Sequence, residues 1–288
     1  MTPNFGLIII GDEILSGKRV DKHLPKVIEL LATRGLPLAY ADYVGDDPAR
    51  ITATLARAFA ASRASGDVVF CTGGIGATPD DHTRQCAARA LGVELALHPE
   101  AKRLIEERIR DTAKEQDAAY EPDRHDNLHR LNMGVFPVGS EIIPNPYNKI
   151  PGFSCFVEPV AQDNSDPHAV GKGGGIHFFP GFPVMAWPMI EWVLDQRYAN
   201  LHQKSPAIEK SIIVMGSMEA TLTPLMLAIE ADYPGIKVFS LPSVDHPQYG
   251  RHIELGVKGA PDAVSLAYPA LLAGLHPFNL QFGPELVR

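Results

Sequence analysis

The chain has 288 residues, 45% of them hydrophobic and 21% charged, which is enough for two domains with separate cores. A formal net charge of −8 excludes binding to nucleic acid or an anionic membrane through a broad basic surface. Cys71, Cys86 and Cys155 are odd in number and lack metal-type spacing, so reduced thiols in a cytoplasmic protein are expected. The first residues have no basic segment followed by a cleavable apolar one. The most apolar long window, residues 177–194, contains Pro180, Pro183, Pro188 and Glu191. Neither a signal peptide nor a membrane span is therefore expected.

In chain order, residues 5–10 form a continuous apolar run, expected as a strand buried on both faces of a parallel sheet, and it ends in GDEILSGK. Asp21 offers an N-cap to a helix whose Leu24, Val27, Ile28 and Leu31 fall at helical spacing; Pro25 sits in its first turn and Gly35 stops it. A second strand at 38–44 leads into GDDPAR, where Asp47 before Pro48 predicts an N-cap with a proline at the first helical position. Ile51, Leu55, Ala58 and Phe59 make one apolar stripe beyond it. The third strand, 68–71, runs into CTGGIGATPDDHT and then a helix at 83–91. Three strand–helix units in series predict a parallel sheet with helices on both faces and ligand sites at the C-terminal strand ends. GDEILSG, VGDDP and TGGIGATPDD are thus expected on one sheet edge.

Further on, a charged helix is expected at 99–118 and a short helix or loop at 124–132, followed by Glu141–Ile143 and an irregular PNPYNKIPGF. Residues 153–157 and 176–179 read as a strand pair joined by a flexible, glycine-rich connection, AQDNSDPHAVGKGGG. FPGFPVMAWPMIEWVL begins as a loop and becomes a helix near Trp187. After a linker at 198–206 the pattern changes to a β-α-β-β-α run. The expected organisation is a three-layer α/β/α domain with a mostly parallel sheet at 1–197, then a small α+β domain at 206–288.

The loop after the third strand has the makings of an anion site. Glycines let backbone N–H groups approach an oxyanion, and the following helix adds partial positive charge. The loop is neither GxxxxGK[ST] nor GxGxxG. Asp80 and Asp81 stand at the helix start, where one is expected to cap the helix and the other is free to hold a divalent cation. Asp46 has no capping duty and is the functional candidate beside Asp47. Asp12 and Glu13 gain weight by converging on the same edge. His82 is a lone loop histidine, and His125 with His129 at i,i+4 lacks a third ligand.

Together GDEILSGK, VGDDP, TGGIGATPDDHT, NPYNKIPGF and FPGFP resemble the molybdopterin-binding (MoaB/Mog-like) domain family, most closely the version in competence/damage-inducible protein A. Order and spacing match over residues 5–195, and GSMEATLTPLM extends the likeness into the tail, without the amidohydrolase domain of longer relatives. The resemblance implies a nucleotide or pterin ligand whose phosphate lies on Thr72, Gly73, Gly74 and Gly76, with Gly11, Ser16, Asn145, Pro151 and Gly152 around it; Lys149, which departs from the pattern, is expected to meet a phosphate directly. It implies Asp46 and Asp81 as catalytic acids, and Mg²⁺, Mn²⁺ or Co²⁺ held among Asp12, Glu13, Asp80 and Asp81. Hydrolysis of ADP-ribose to AMP and ribose 5-phosphate, adenylylation or binding of molybdopterin, and non-catalytic nucleotide or pterin binding all remain open. A homo-oligomer is expected by analogy. The chain departs from the pattern in having Asn148 and Lys149 where small residues stand, and Met185 where a glutamate does.

Overall fold

The computed structural model describes residues 3–158, 174–202 and 207–288. The glycine-rich connection expected at 161–175 lies outside them except for its last two glycines, and so does the end of the expected linker. The chain divides into two compact units, 1–202 and 203–288.

In the first unit, β1 (Phe5–Ile10) is followed by the one-turn α1 (Asp12–Leu15), α2 (His23–Ala32), β2 (Leu38–Val44), α3 (Pro48–Ser65), β3 (Val68–Thr72) and α4 (Thr83–Leu91). Then come β4 (Leu95–Leu97), α5 (Pro99–Glu115), α6 (His125–Arg130), β5 (Val135–Pro137), β6 (Glu141–Ile143), β7 (Gly152–Phe156), β8 (Gly175–Phe179) and α7 (Pro183–Arg197). The main sheet has the order β2-β1-β3-β8-β7-β6. The first four strands are parallel, and β7 runs antiparallel to both of its neighbours. β4 and β5 form a separate antiparallel pair.

Alternation along β1 and β3 sorts the two layers. Ile8, Ile10, Val69 and Cys71 pack on Ile51, Leu55 and Phe59 of α3 and Cys86 and Ala87 of α4. Leu7, Ile9, Val68 and Phe70 pack on Val27, Leu30 and Leu31 of α2 and on Ala186, Met189, Ile190 and Val193 of α7. Both faces are covered, which is why these strands read as unbroken apolar runs. The loops after β1, β2, β3 and β8, together with the β6–β7 loop, therefore meet at one edge.

Helix starts are set as the sequence suggests, with small shifts. Asp47 caps α3, its Oδ1 accepting from Arg50 N at 2.8 Å. Asp21 accepts from the N–H groups of His23 (2.8 Å) and Leu24 (3.1 Å), although the helix boundary itself falls at Lys22. α7 starts at Pro183, earlier than expected. Pro188 inside it removes one backbone bond, and burial of Ala186, Met189 and Ile190 offsets that loss.

The second unit contains β9 (Ile208–Met215), α8 (Glu219–Asp232), β10 (Lys237–His246), β11 (Gly250–Gly259), α9 (Pro261–Leu275) and β12 (Gln281–Val287), in an antiparallel sheet of order β10-β11-β9-β12. This is the split β-α-β arrangement doubled. β12 goes beyond the expected β-α-β-β-α run: its Gly283 and Pro284 hide it in the sequence, and an edge position with a register shift between Phe282 and Glu285 accommodates them.

Because its carboxylate is occupied by the helix, Asp47→Ala is expected to destabilise the first unit by about 1 kcal/mol while leaving phosphate-ligand affinity intact. Urea unfolding alongside AMP titration checks both; a loss of affinity without a loss of stability would contradict the capping role.

Candidate functional site

The β3–α4 loop is fastened through its carbonyls. Thr83, the first residue of α4, donates Oγ1–H to Gly73 O and N–H to Gly74 O, both at 3.0 Å. Arg84 donates to Gly76 O at 2.6 Å and also to Asn132 O. With those carbonyls drawn onto the helix, the N–H groups of Gly74, Ile75, Gly76 and Ala77 have no acceptor among the described residues. A run of unpaired amides at the end of a buried strand makes a nest for an anion. Gly73 and Gly74 have φ of 98° and 67°. A Cβ on Gly73 would come within 2.1 Å of Ile10 O, and one on Gly74 within 2.2 Å of Thr83 Oγ1. Glycine is needed at both places.

Neither Asp80 nor Asp81 caps α4, contrary to expectation; the N-cap is His82, with no side-chain bond. Asp81 instead closes its own turn, Oδ2 accepting from Thr78 N (2.8 Å) and Thr78 Oγ1 (2.5 Å), and it packs where a Gly76 side chain would otherwise stand. Asp80 is exposed, and the neighbouring Thr78 side chain holds its carboxyl below its ordinary value.

The other acids gather across the loop. Asp12 N–H donates to Asp46 Oδ2 at 2.8 Å, and Asp46 N–H donates to Asp12 Oδ1 at 3.2 Å. This reciprocal pair ties the loop after β1 to the loop after β2. Gly11 supports it with its N–H on Val44 O, and Ser16 N–H closes α1 on Asp12 O. Partial burial raises the Asp46 carboxyl above its ordinary value, opposed by the Asp12 N–H and reinforced by the charges of Asp12, Asp80 and Glu13.

Among the described residues, no three acids, histidines or cysteines come together as a metal cluster, so Asp12, Glu13, Asp80 and Asp81 do not form a four-acid cage. Asp81 is turned to Thr78, and Glu13 is exposed. The oxygen donors that remain are Asp12 and Asp46, joined through their backbone N–H groups, and Asp80; a hard cation can bind through one or two carboxylates with water completing its shell.

The β6–β7 loop is built differently from expectation. Buried Asn145 is fully engaged within the loop, Nδ2 on Asn148 Oδ1 (2.8 Å) and Ile150 O (2.9 Å), Oδ1 on Tyr147 N (3.0 Å). It holds the loop rather than facing a ligand. Gly152 lies in β7, where a Cβ would meet Phe178 O at 2.3 Å, so strand packing demands this glycine; Pro151 beside it is buried. Lys149, at φ 65°, sends its ammonium to Asp111 of α5 at 2.7 Å, with Glu107 at 3.9 Å. That ion pair takes the charge that a phosphate contact would need.

Two residues escape a sequence reading. Arg84 is 5% exposed and forms no ion pair among the described residues, and burial disfavours its charge against the opposing field of Asp81. His23 is also 5% exposed, and its Nε2 lies 3.1 Å from Gly181 O. One sequence gives no signal that separates either from a solvated helix side chain.

Fold and site together define an α/β domain that presents a backbone anion nest beside an acid pair. The chain belongs to the family described as "Probable molybdopterin binding domain", whose model matches residues 6–200. It is 31% identical over 196 residues to a CinA-like protein of Anaeromyxobacter sp. (strain K), covering 68% of this chain and 41% of that protein. To a CinA-like protein of Gloeobacter violaceus it is 34% identical over 184 residues, covering 64% and 37%. The chain thus matches about two fifths of the length of these relatives. A solved structure, the protein CinA with unknown function from Thermoplasma acidophilum, shares the fold with a TM-score of 0.51 at 23% identity, covering 67% of this chain and 98% of that one. No helix among the described residues is long and apolar enough to cross a membrane.

A carboxyl raised in the folded state makes folding less favourable as pH climbs from its ordinary value near 4 towards the raised one. Asp46→Asn keeps an acceptor for the Asp12 N–H and removes the charge. It is expected to melt above the wild type at pH 7 and to match it below the carboxylate range. Melting curves from pH 3 to 7 check this; a variant less stable at pH 7 would show that the Asp46 charge is favourable.

Proposed function

We propose that the domain holds the phosphates of a nucleotide on the Gly74–Ala77 amides and cleaves the phosphoanhydride of ADP-ribose-like compounds in a divalent-cation-dependent reaction. The observation that supports it most is the nest of unpaired amides next to an acid whose charged form is disfavoured. Asp12 would hold the cation together with substrate phosphate and water, leaving Asp46 free; when bound, the cation would neutralise phosphate oxygens and so favour attack at phosphorus. Backbone N–H groups fixed by Thr83 and Arg84 hold the developing negative charge without reorganising. Asp46, more basic than an ordinary carboxylate, takes the proton from the attacking water. Asp81 keeps the 78–81 turn in shape, so in this reading its effect on turnover is through loop geometry.

The family description supports a second reading, binding or adenylylation of molybdopterin, because the same nest would accept a pterin phosphate. The far wall supports a third, non-catalytic one. Met185 offers only its sulfur, 3.5 Å from Asn148 Nδ2, and Lys149 is engaged with Asp111.

Incubation with ADP-ribose and Mg²⁺, Mn²⁺ or Co²⁺ separates the readings. AMP release is expected, and Asp46→Asn is expected to lower kcat by about 100-fold. No release with any of the three metals, alongside saturable binding of AMP or a pterin phosphate, would replace hydrolysis by the second or third reading.

A further inference from the structure

On the α2/α7 side of the same edge lies a second feature that the phosphate nest does not use. A cavity of about 440 Å³ opens between the ends of β1 and β3, the loop after α1, and the first residues of α2 and α7. That size suits a nucleoside-sized group. Its walls include Ile14, Val20 and Pro183, its charged residues are Arg19 and Lys22, and its uncharged polar residues include Thr72 and His23.

Two buried polar atoms here lack a partner among the described residues, Thr72 Oγ1 and His23 Nδ1. Thr72 is 1% exposed and His23 5%. Alternation along β3 puts the Thr72 side chain on the face of Val68 and Phe70, towards α2, where His23 starts the helix. The partner of His23 Nε2 is the Gly181 carbonyl, which can only accept, so the proton of the neutral ring sits on Nε2. Burial pushes the imidazole below its ordinary value, opposed by the Gly181 carbonyl and Asp21. Nδ1 is therefore a lone-pair acceptor with nothing to accept. A buried polar atom left in that state is costly, and a ligand donor would relieve it.

The chemistry narrows the occupant. Arg19 and Lys22, both exposed at the cavity, can meet an anion, but an anion brings no donor to the bare lone pair on Nδ1. A simple hydrocarbon would leave both Nδ1 and the Thr72 hydroxyl unpaired. A flat ring with apolar faces and an N–H donor on its edge satisfies the aliphatic walls and both polar atoms. Thr72 is next in sequence to Gly73, so a ligand whose phosphate lies on the nest has its other end within reach of this cavity.

We propose that this cavity is a base-binding subsite that takes the amino-substituted heteroaromatic ring of the ligand, with His23 Nδ1 accepting from a ring or exocyclic N–H and the Thr72 hydroxyl completing the pairing. This rests on the phosphate-binding reading for the placement of the rest of the ligand. Adenine and a pterin share the required chemistry, and the test tells them apart.

The test measures binding of AMP, adenosine, ribose 5-phosphate and neopterin monophosphate to the full chain by calorimetry. The variants are His23→Leu and Val20→Trp. Val20 is 83% exposed at the cavity, so a tryptophan there blocks the space without disturbing the core. In the wild type, AMP or the pterin phosphate is expected to bind at least ten-fold more tightly than ribose 5-phosphate. Both variants are expected to abolish that advantage and leave ribose 5-phosphate binding unchanged. The ring-bearing ligand that loses its advantage identifies the ring. Equal affinities in the wild type, or an advantage that survives both variants, would overturn the subsite. Binding of adenosine that is lost in Val20→Trp, with no binding of ribose 5-phosphate, would uphold the subsite and overturn the phosphate reading instead. If none of the four ligands binds, both fall.

Discussion

The two hydrogen bonds from Thr83 to the carbonyls of Gly73 and Gly74 decide what the β3–α4 loop can do. A glycine loop on its own samples many conformations, and most of them leave its amides facing in several directions. Fixing consecutive carbonyls onto the first residue of α4 removes that freedom. Arg84 continues the same pattern one turn further on, holding Gly76 O from a buried position. The carbonyls are bound to α4, and the amides of residues 74–77 are left without partners among the described residues. A nest prepared in this way meets negative charge without moving, which is the condition under which backbone dipoles act most strongly. It also explains why a buried arginine with no ion pair among the described residues persists: two carbonyls satisfy much of its guanidinium, and a bound anion would supply nearby negative charge.

The acids present the opposite problem. Asp12 and Asp46 donate backbone N–H groups to each other's carboxylates, so each loop is held in place by the other's charge carrier. The arrangement brings two negative charges together, with Asp80 and Glu13 adding to the field at Asp46. A group that served only to stabilise the fold would be placed where its charge is favoured. Asp46 is placed where its charge is disfavoured, and like charge gathered at one sheet edge makes it a functional candidate. A bound cation or a proton in transit would compensate what the fold alone leaves uncompensated.

The sheet was legible in the sequence because the relevant signals are local. Residues 5–10 and 68–71 are apolar runs bounded by polar turns, and Asp47-Pro48 states a helix start outright. The shared edge then follows from strand–helix units in series, whose parallel strands all end on one side of the sheet. The parts that were not legible depend on side-chain direction. Asp80 and Asp81 are neighbours with the same composition around them, and only the fold of the turn shows that Asp81 closes on Thr78. Asn145 and Gly152 sit in a motif that invites a ligand reading, yet one holds its own loop and the other admits the Phe178 carbonyl. β12 was hidden by Gly283 and Pro284, residues that an edge strand tolerates and a central one does not.

The departures on the β6–β7 side and the features on the α2 side bear on each other. Lys149 is drawn to Asp111, and Met185 offers only a thioether sulfur, so the β6–β7 loop and the Met185 side chain offer little to a charged ligand. The α2 side carries a hydroxyl and an imidazole nitrogen that are buried and unpaired among the described residues, at the same sheet edge as the nest. Unmet hydrogen-bonding capacity costs stability wherever it is buried, so its retention at Thr72 and His23 calls for a compensating gain. Recognition of a ring at that side would reduce the site's dependence on the β6–β7 wall. Phosphate held by backbone and ring held by His23 would fix a ligand at two points, with the acid pair at the same edge of the sheet.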